Sequence, residues 1–226
     1  MINLSKISEF FDARQAIQFP VHVIGCGAIG SHVCEQLARM GCKEIHIWDF
    51  DRVEPKNIVN QMFFEYDIGN SKVDACEHMM KSINNDISII KHAEGIKPPY
   101  IVNGYIFLCV DNIDLRRTIV KANEFNPNCR AFFDFRMRLL DGQCYMADRS
   151  KRDQLKNFLA TMDFTHEEAM EATPLSACGV ELSVSDTVKT LVSCQMNNFR
   201  RYLKGEEAKT CILYDARNMR IDCFPE

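Results

Sequence analysis

Several things are missing from this 226-residue sequence, and each absence removes a class of protein. No apolar run approaches the roughly 20 residues needed to cross a bilayer. The opening Met1-Ile2-Asn3-Leu4-Ser5-Lys6 lacks the charged-then-apolar layout of a secretory signal. A cytoplasmic protein with no membrane partner is therefore expected. A basic excess is missing too: 27 Lys and Arg against 31 Asp and Glu leave a net charge of −4, which gives no general attraction for nucleic acid. The eleven cysteines include no Cys-x-x-Cys pair, so no four-cysteine zinc site is expected, and their odd number argues against a complete disulfide framework. Cys26, Cys34, Cys76 and Cys109 lie inside apolar patterns and read as small core hydrophobes. Repeats, low-complexity tracts and evident linkers are lacking as well. One domain over residues 1–226 is expected, with 46% hydrophobic residues to fill its core.

The chain is organised around Val21-His22-Val23-Ile24-Gly25-Cys26-Gly27-Ala28-Ile29-Gly30-Ser31. A short β-branched run meets Gly-x-Gly-x-x-Gly, and a segment with Val33, Leu37 and Met40 on one face follows. The order is strand, tight turn, helix. The first glycine permits the turn, the second admits a ligand to the backbone, and the third lets helix and strand pack closely. The helix start then offers unpaired N–H groups and partial positive charge to an anion.

Ahead of this motif, residues 1–18 form a helical segment carrying Arg14, which by itself reads as a solvated surface residue. Behind it, Ile45-His46-Ile47-Trp48 alternates into a second strand, with His46 read as a packed histidine. That strand ends at Asp49, close to the roughly 20-residue spacing expected of an acid that binds ribose. The loop beyond collects Asp51, Asn57 and Gln61, the last two sharing a face if helical. Lys72 opens the next helix, where the dipole disfavours a cation; a lysine there makes sense beside a polyphosphate. Ile87–Ile90 is a third strand, and Tyr105–Val110 is apolar throughout, as a buried parallel strand should be. It runs into Asp111-Asn112 and a helix over 113–125. Asp111 is read either as a helix cap or as an oxygen ligand for hydrated magnesium at the mouth of the sheet.

A hairpin with its turn at Asp141-Gly142 follows. Residues 148–180 are expected to be a mobile crossover outside the core, with helical pieces at 151–161 and 166–171. His166 among its glutamates reads as helix surface. A long helix over 181–203 and a closing hairpin from Cys211–Asp215 and Met219–Phe224 complete the chain. Cys178, at the entry to the long helix, is either a small residue at a tight turn or a thiol activated by the helix N-terminus.

Taken together, Gly25-x-Gly27-x-x-Gly30, Asp49-x-Asp51, Asn57-x-x-x-Gln61, Asp67-Ile68-Gly69 with Lys72, and Asp111-Asn112 with Arg116 resemble the ubiquitin-activating-enzyme superfamily in its small ThiF/MoeB form. The resemblance implies an α/β, Rossmann-like adenylation fold: a largely parallel central sheet continued by antiparallel C-terminal strands, with helices on both faces. It also implies ATP-dependent adenylation of the C-terminal carboxylate of a ubiquitin-like or sulfur-carrier protein. Carried over by position, Gly25, Gly27, Ala28 and Gly30 lie against the nucleotide and Asp49 holds the ribose. Asn57, Gln61 and Lys72 face the phosphates, and Asp51, Asn112 and Arg116 complete the nucleotide contacts. Asp111 holds Mg2+. In the family an arginine reaches the phosphates from a neighbouring subunit, which makes Arg14 the candidate and a homodimer the expected unit. Cys178 is the candidate for a following thiol step. The chain departs from the family in carrying Asn60 where an arginine is common, and in lacking the cysteine pairs that hold zinc in many relatives. Two other readings compete. A nicotinamide-dependent oxidoreductase would share the glycine loop but leave Asn57, Gln61, Lys72 and Asp111 without a common purpose, and a non-catalytic scaffold would keep only the fold.

Overall fold

The β-branched and aromatic runs pair as the pattern requires. In the computed structural model, which describes residues 2–173, 175–176 and 182–225, they build one eight-stranded sheet. A short helix, α1 (Ala13–Ala16), precedes β1 (Val21–Ile24), α2 (Ala28–Met40) and β2 (Glu44–Trp48). Next come α3 (Lys72–Ile83), β3 (Ser88–His92), β4 (Gly104–Leu108) and α4 (Ile113–Asn123). The C-terminal part comprises β5 (Cys129–Met137), β6 (Asp141–Asp148), α5 (Arg152–Ala160), α6 (His166–Glu171), α7 (Ser185–Leu203), β7 (Cys211–Asp215) and β8 (Arg220–Phe224).

Strand order is β3-β2-β1-β4-β5-β6-β7-β8, with β1 to β5 parallel and the rest antiparallel. The chain winds outward from β1 to β3 and then returns to pair β4 on the other side of β1. Connections leaving β1 and β4 therefore diverge, and a crevice opens at their carboxyl ends. That is the topological switch point where ligands sit in open α/β sheets.

Alternation along the strands divides the core into two layers. Val21, Val23, Ile45, Ile47, Phe107 and Phe133 pack against α2, α3 and α7. Ile24, Ile106, Leu108 and Phe132 face the other way, toward α4 and α5. Phe199 of α7 is the aromatic anchor of the first layer, edge-on to Phe107 at 5.1 Å and to Phe133 at 5.0 Å. Over β1 to β3 the second face carries stacked rings. His22 lies 4.4 Å from His46, His46 lies 5.5 Å from His92, and His92 lies 3.4 Å from Trp48. His46 is thus a packed histidine, as its place mid-strand implied.

Three expectations are corrected. The hairpin turn falls on Arg138–Leu140 rather than Asp141-Gly142, because Gly142 is a strand residue paired with Met137. A β-carbon on Gly142 would lie 2.3 Å from Leu191 Cδ1, so the glycine serves the close seating of α7 on β6. The crossover is not all peripheral either, since Leu155, Phe158 and Met162 are buried in the second layer. The long helix begins at Ser185 rather than 181. Cys178 lies outside the described residues.

Two stability measurements follow. Phe199→Ala removes a wholly buried ring and is expected to cost about 3–5 kcal/mol in urea unfolding. His22 is buried, and burial first, then the neighbouring His46 and His92, lowers its pKa from 6.5 to about 3. The unfolded chain binds a proton there below pH 6.5 that the folded chain refuses until about pH 3. The stability contributed by neutral His22 is therefore complete above pH 6.5 and lost as pH falls toward 3. A loss on the order of 2–4 kcal/mol is expected by about pH 4, and His22→Phe should flatten that part of a urea-midpoint profile.

Candidate functional site

The glycine loop is shaped by contacts that leave room for nothing but hydrogen at two of its positions. Gly25 has φ +95°, and a β-carbon there would come within 2.8 Å of the Cys109 carbonyl. One on Gly30 would lie 1.8 Å from the Gly25 carbonyl oxygen. Gly27 differs: it caps α2, and a β-carbon on it would meet nothing within 4 Å. The loop is thus close-packed behind and open in front, where the helix N-terminus points at the crevice. Ala28, the first residue of α2, stands at that opening.

Asp49 fixes the loop. Its Oδ2 accepts the Cys26 amide at 2.7 Å and its Oδ1 accepts the Asp51 amide at 2.8 Å. One carboxylate therefore joins the turn after β1 to the turn after β2. Asp51 passes the connection on, accepting the Lys72 amide on its backbone carbonyl at 2.9 Å and the Lys72 ammonium on its carboxylate, also at 2.9 Å. Lys72 is buried at the first position of α3, while its partner carboxylate is about half exposed. The cation is therefore held at the mouth by a solvated, exchangeable partner.

Between these turns the chain forms a 3-10 turn over Pro55–Val59 in which Asn57 is buried and accepts the Glu54 amide at 2.8 Å. Asn57 is thereby partly committed to its own turn. Gln61 lies beyond it, and its Oε1 is buried with no hydrogen-bond partner among the described residues; the same holds for Ser71 Oγ, next to Lys72. Buried polar atoms are nearly always paired; among the described residues the same state is found at Arg117 Nε, Arg130 Nε, His166 Nδ1 and Ser183 Oγ. Residues 60–62 are strapped to α2, with Ser31 Oγ accepting the Met62 amide at 2.9 Å and His32 Nε2 lying 3.3 Å from the Asn60 carbonyl.

Across the switch point, Asp111 is exposed, and its carboxylate has no partner among the described residues. The helix cap is Asn112, whose Oδ1 accepts the Leu115 amide at 2.9 Å. Arg116 turns inward. It donates to the Val110 carbonyl at 2.6 Å, to Asp134 at 2.7 Å and to the Phe135 carbonyl. Asp134 also accepts from Arg136 at 2.7 Å, so a wholly buried carboxylate lies between two guanidinium groups beneath the mouth. Asn112 and Arg116 are thus spent on the chain's own structure rather than turned to the crevice. Arg14 is not brought to the mouth by its own chain: it lies on α1, before the amino end of β1, paired with Asp12 at 3.2 Å.

Sequence reasoning missed Ser31, His32, Ser71 and the Asp134 pair. The signal for Asp134 was available, as a single carboxylate in the apolar strand Ala131-Phe132-Phe133-Asp134-Phe135. Ser31 and Ser71 carried none, since serines near helix starts are common.

The model of a family described as the ThiF family matches residues 11–224. The chain is 30% identical over 141 residues to ubiquitin-like modifier-activating enzyme 5 of Rattus norvegicus, covering 54% of this chain and 34% of that protein. It is 40% identical over 123 residues to the Xenopus laevis enzyme of the same name, covering 46% and 30%. The matched part is thus about a third of those relatives' length. Among solved structures, E. coli MccB with ATP superposes with a TM-score of 0.72 at 17% identity, covering 94% of this chain and 65% of that one. PaaA gives 0.74 at 15% identity, covering 98% and 71%. At these identities the likeness is one of fold.

Asp134→Ala leaves the buried Arg116 and the partly buried Arg136 without their counter-charge, and a loss of about 3–5 kcal/mol is expected in urea unfolding. Arg14→Ala, at an exposed pair, should cost no more than about 1 kcal/mol in the same measurement.

Proposed function

This chain belongs to the ThiF family, and from that premise we propose that it is an adenylyltransferase. In this reading it uses ATP to activate the C-terminal carboxylate of a ubiquitin-like protein, a sulfur carrier or a peptide, with residues 1–226 acting as one adenylation domain. The observation that carries the reading is the convergence at the switch point: an open Gly27, a buried Lys72 ammonium and an unpartnered Asp111 carboxylate, with two buried orphan oxygens nearby.

The residues fit the reaction. The carboxylate attacks the α-phosphorus and pyrophosphate leaves, so the site must offset charge on the phosphate oxygens. Backbone N–H groups at the start of α2 and the Lys72 ammonium provide that charge. Gln61 and Asn57 orient oxygens without adding charge, and Ser71 Oγ offers a further donor. Asp49, already accepting two amides, keeps lone pairs for a ribose hydroxyl. Asp51 acts as the keeper of Lys72 and yields it when phosphate arrives. Asp111 has the hard oxygen donor and the exposure that suit a hydrated magnesium ion. Such an ion, when bound, supplies positive charge on the phosphate oxygens. Little proton transfer is required, so the want of a general base is no objection.

A second copy of the chain would complete the site. Arg14 is exposed and lies away from the mouth of its own subunit, so a homodimer is the arrangement that brings its guanidinium to the phosphates. Cys178 is the thiol proposed to take the acyl group from the adenylate, with AMP leaving.

Pyrophosphate exchange into ATP, dependent on the carboxylate partner, tests the assignment. Lys72→Ala and Asp111→Ala are each expected to slow exchange by about 10²- to 10³-fold. Tight nicotinamide binding without ATP binding would overturn the reading in favour of an oxidoreductase. Arg14→Ala should be inactive alone, and mixing it with Lys72→Ala should restore about a quarter of wild-type exchange through composite sites in mixed dimers. No recovery on mixing would sink the shared-site assignment.

A further inference from the structure

Directly behind the glycine loop lies a cluster that the adenylation reading does not use. Cys26 is the residue between Gly25 and Gly27, Cys34 lies two turns into α2, and Cys76 lies on α3. Their three Sγ atoms all lie within 4.8 Å of one another, and all three residues are fully buried. It is the one such group of metal-ligating side chains among the described residues. The ten described cysteines, these three included, are unbridged.

We propose that Cys26, Cys34 and Cys76 form a three-coordinate binding site for a trivalent, thiol-seeking metalloid, for which arsenous acid is the probe.

Three features of the cluster select that chemistry. Sulfur donors favour soft acceptors. A trivalent metalloid keeps a lone pair and binds pyramidally, so at about 2.3 Å from each sulfur, the length of a zinc–sulfur bond, it needs sulfurs about 3.5 Å apart, and the cluster contracts by no more than about 1.3 Å on closing. Third, the cluster supplies three donors and no other described ligating side chain joins it, which disfavours an ion that wants four ligands.

Charge decides between the remaining candidates. A divalent ion on three thiolates leaves a net negative charge in an apolar layer, and burying an uncompensated charge is costly. All three thiols lie fully buried in that layer, where desolvation disfavours the charged form. The site therefore resists forming anions. Arsenous acid avoids the difficulty because reactants and product are all neutral. Three As–O bonds break and three As–S bonds form. Each thiol proton leaves with a hydroxide as water, and no electron changes hands. Entry requires the loop to open locally, as buried sites do on slower timescales, so loading is slow. Once formed, the adduct ties the glycine loop to both α2 and α3.

The test uses the full-length, reduced protein with equimolar arsenite. Native mass spectrometry is expected to show one adduct whose mass gain is one arsenic less three hydrogens. X-ray absorption at the arsenic edge should show three sulfurs and no oxygen, a readout that needs no variant. Cys34→Ala and Cys76→Ala should each abolish that species, whereas Cys223→Ala, an exposed thiol elsewhere, should leave it intact. Zn2+ at the same concentration should not be retained. The proposal is overturned if no adduct forms, if the adduct keeps an oxygen on arsenic, if it survives loss of Cys34 or Cys76, or if Zn2+ is held instead.

Discussion

The two hydrogen bonds of the Asp49 carboxylate, to the amides of Cys26 and Asp51, are the constraint on which the mouth of the sheet depends. A turn with a left-handed glycine at its entry has little intrinsic reason to hold one shape. Hydrogen bonds to a charged acceptor contribute about 1.5–3 kcal/mol each, enough to fix both turns against each other. From Asp49 the geometry propagates. Asp51 is set by its amide and in turn accepts both the backbone and the side chain of Lys72, so the start of α3 is placed relative to the start of α2. Ser31 and His32 fasten the intervening segment to α2. The mouth is therefore one hydrogen-bonded unit reaching from β1 through β2 to α3.

On the other side of the switch point the structure separates two kinds of carboxylate. Asp134 is wholly buried and fully occupied by Arg116 and Arg136. Removing a charge of that kind leaves its partners stranded in a low dielectric, so the cluster is a fixed support for the ends of β4 and β5. Asp111, just past the carboxyl end of β4, is exposed and without a partner among the described residues. Supplying the helix cap from Asn112 leaves the Asp111 carboxylate available. The inward-facing charges thus hold shape, while the outward one stays open to solvent.

Most of this was legible in the sequence because strand alternation and helix periodicity report burial directly. The parallel strands, the glycine loop, α3, α4 and the closing hairpin all fall where pattern placed them. Failures came where a local signal had a non-local cause. Asp-Gly is a strong turn signal, yet Gly142 is small because Leu191, far along the chain, packs onto it. The charged crossover looked peripheral because, among its described residues, only Leu155, Phe158 and Met162 are buried in the core, too few to outweigh its composition. Arg116 carried a motif position but not its orientation, since nothing local to it indicates a buried carboxylate on β5. The mutual approach of Cys26, Cys34 and Cys76 was likewise invisible, because each alone looks like a small apolar residue.

Lys72 shows how the energetics of the mouth favour an incoming anion on the proposed reading. A cation in the first turn of a helix is disfavoured by about 0.3–1 kcal/mol, and burial adds a desolvation penalty. The compensating pair with Asp51 is modest, because that carboxylate is half solvated and exposed pairs contribute only about 0–1 kcal/mol. Lysine is thus a poor choice for this position if the helix start stays empty. With phosphate oxygens present the same terms change sign. The helix N-terminus and the ammonium then face one anion together, Ser71 Oγ gains a partner, and Asp51 returns to water at little cost. A residue that weakens the ligand-free helix and strengthens the occupied one biases the site toward binding, which a neutral helix former at position 72 could not do.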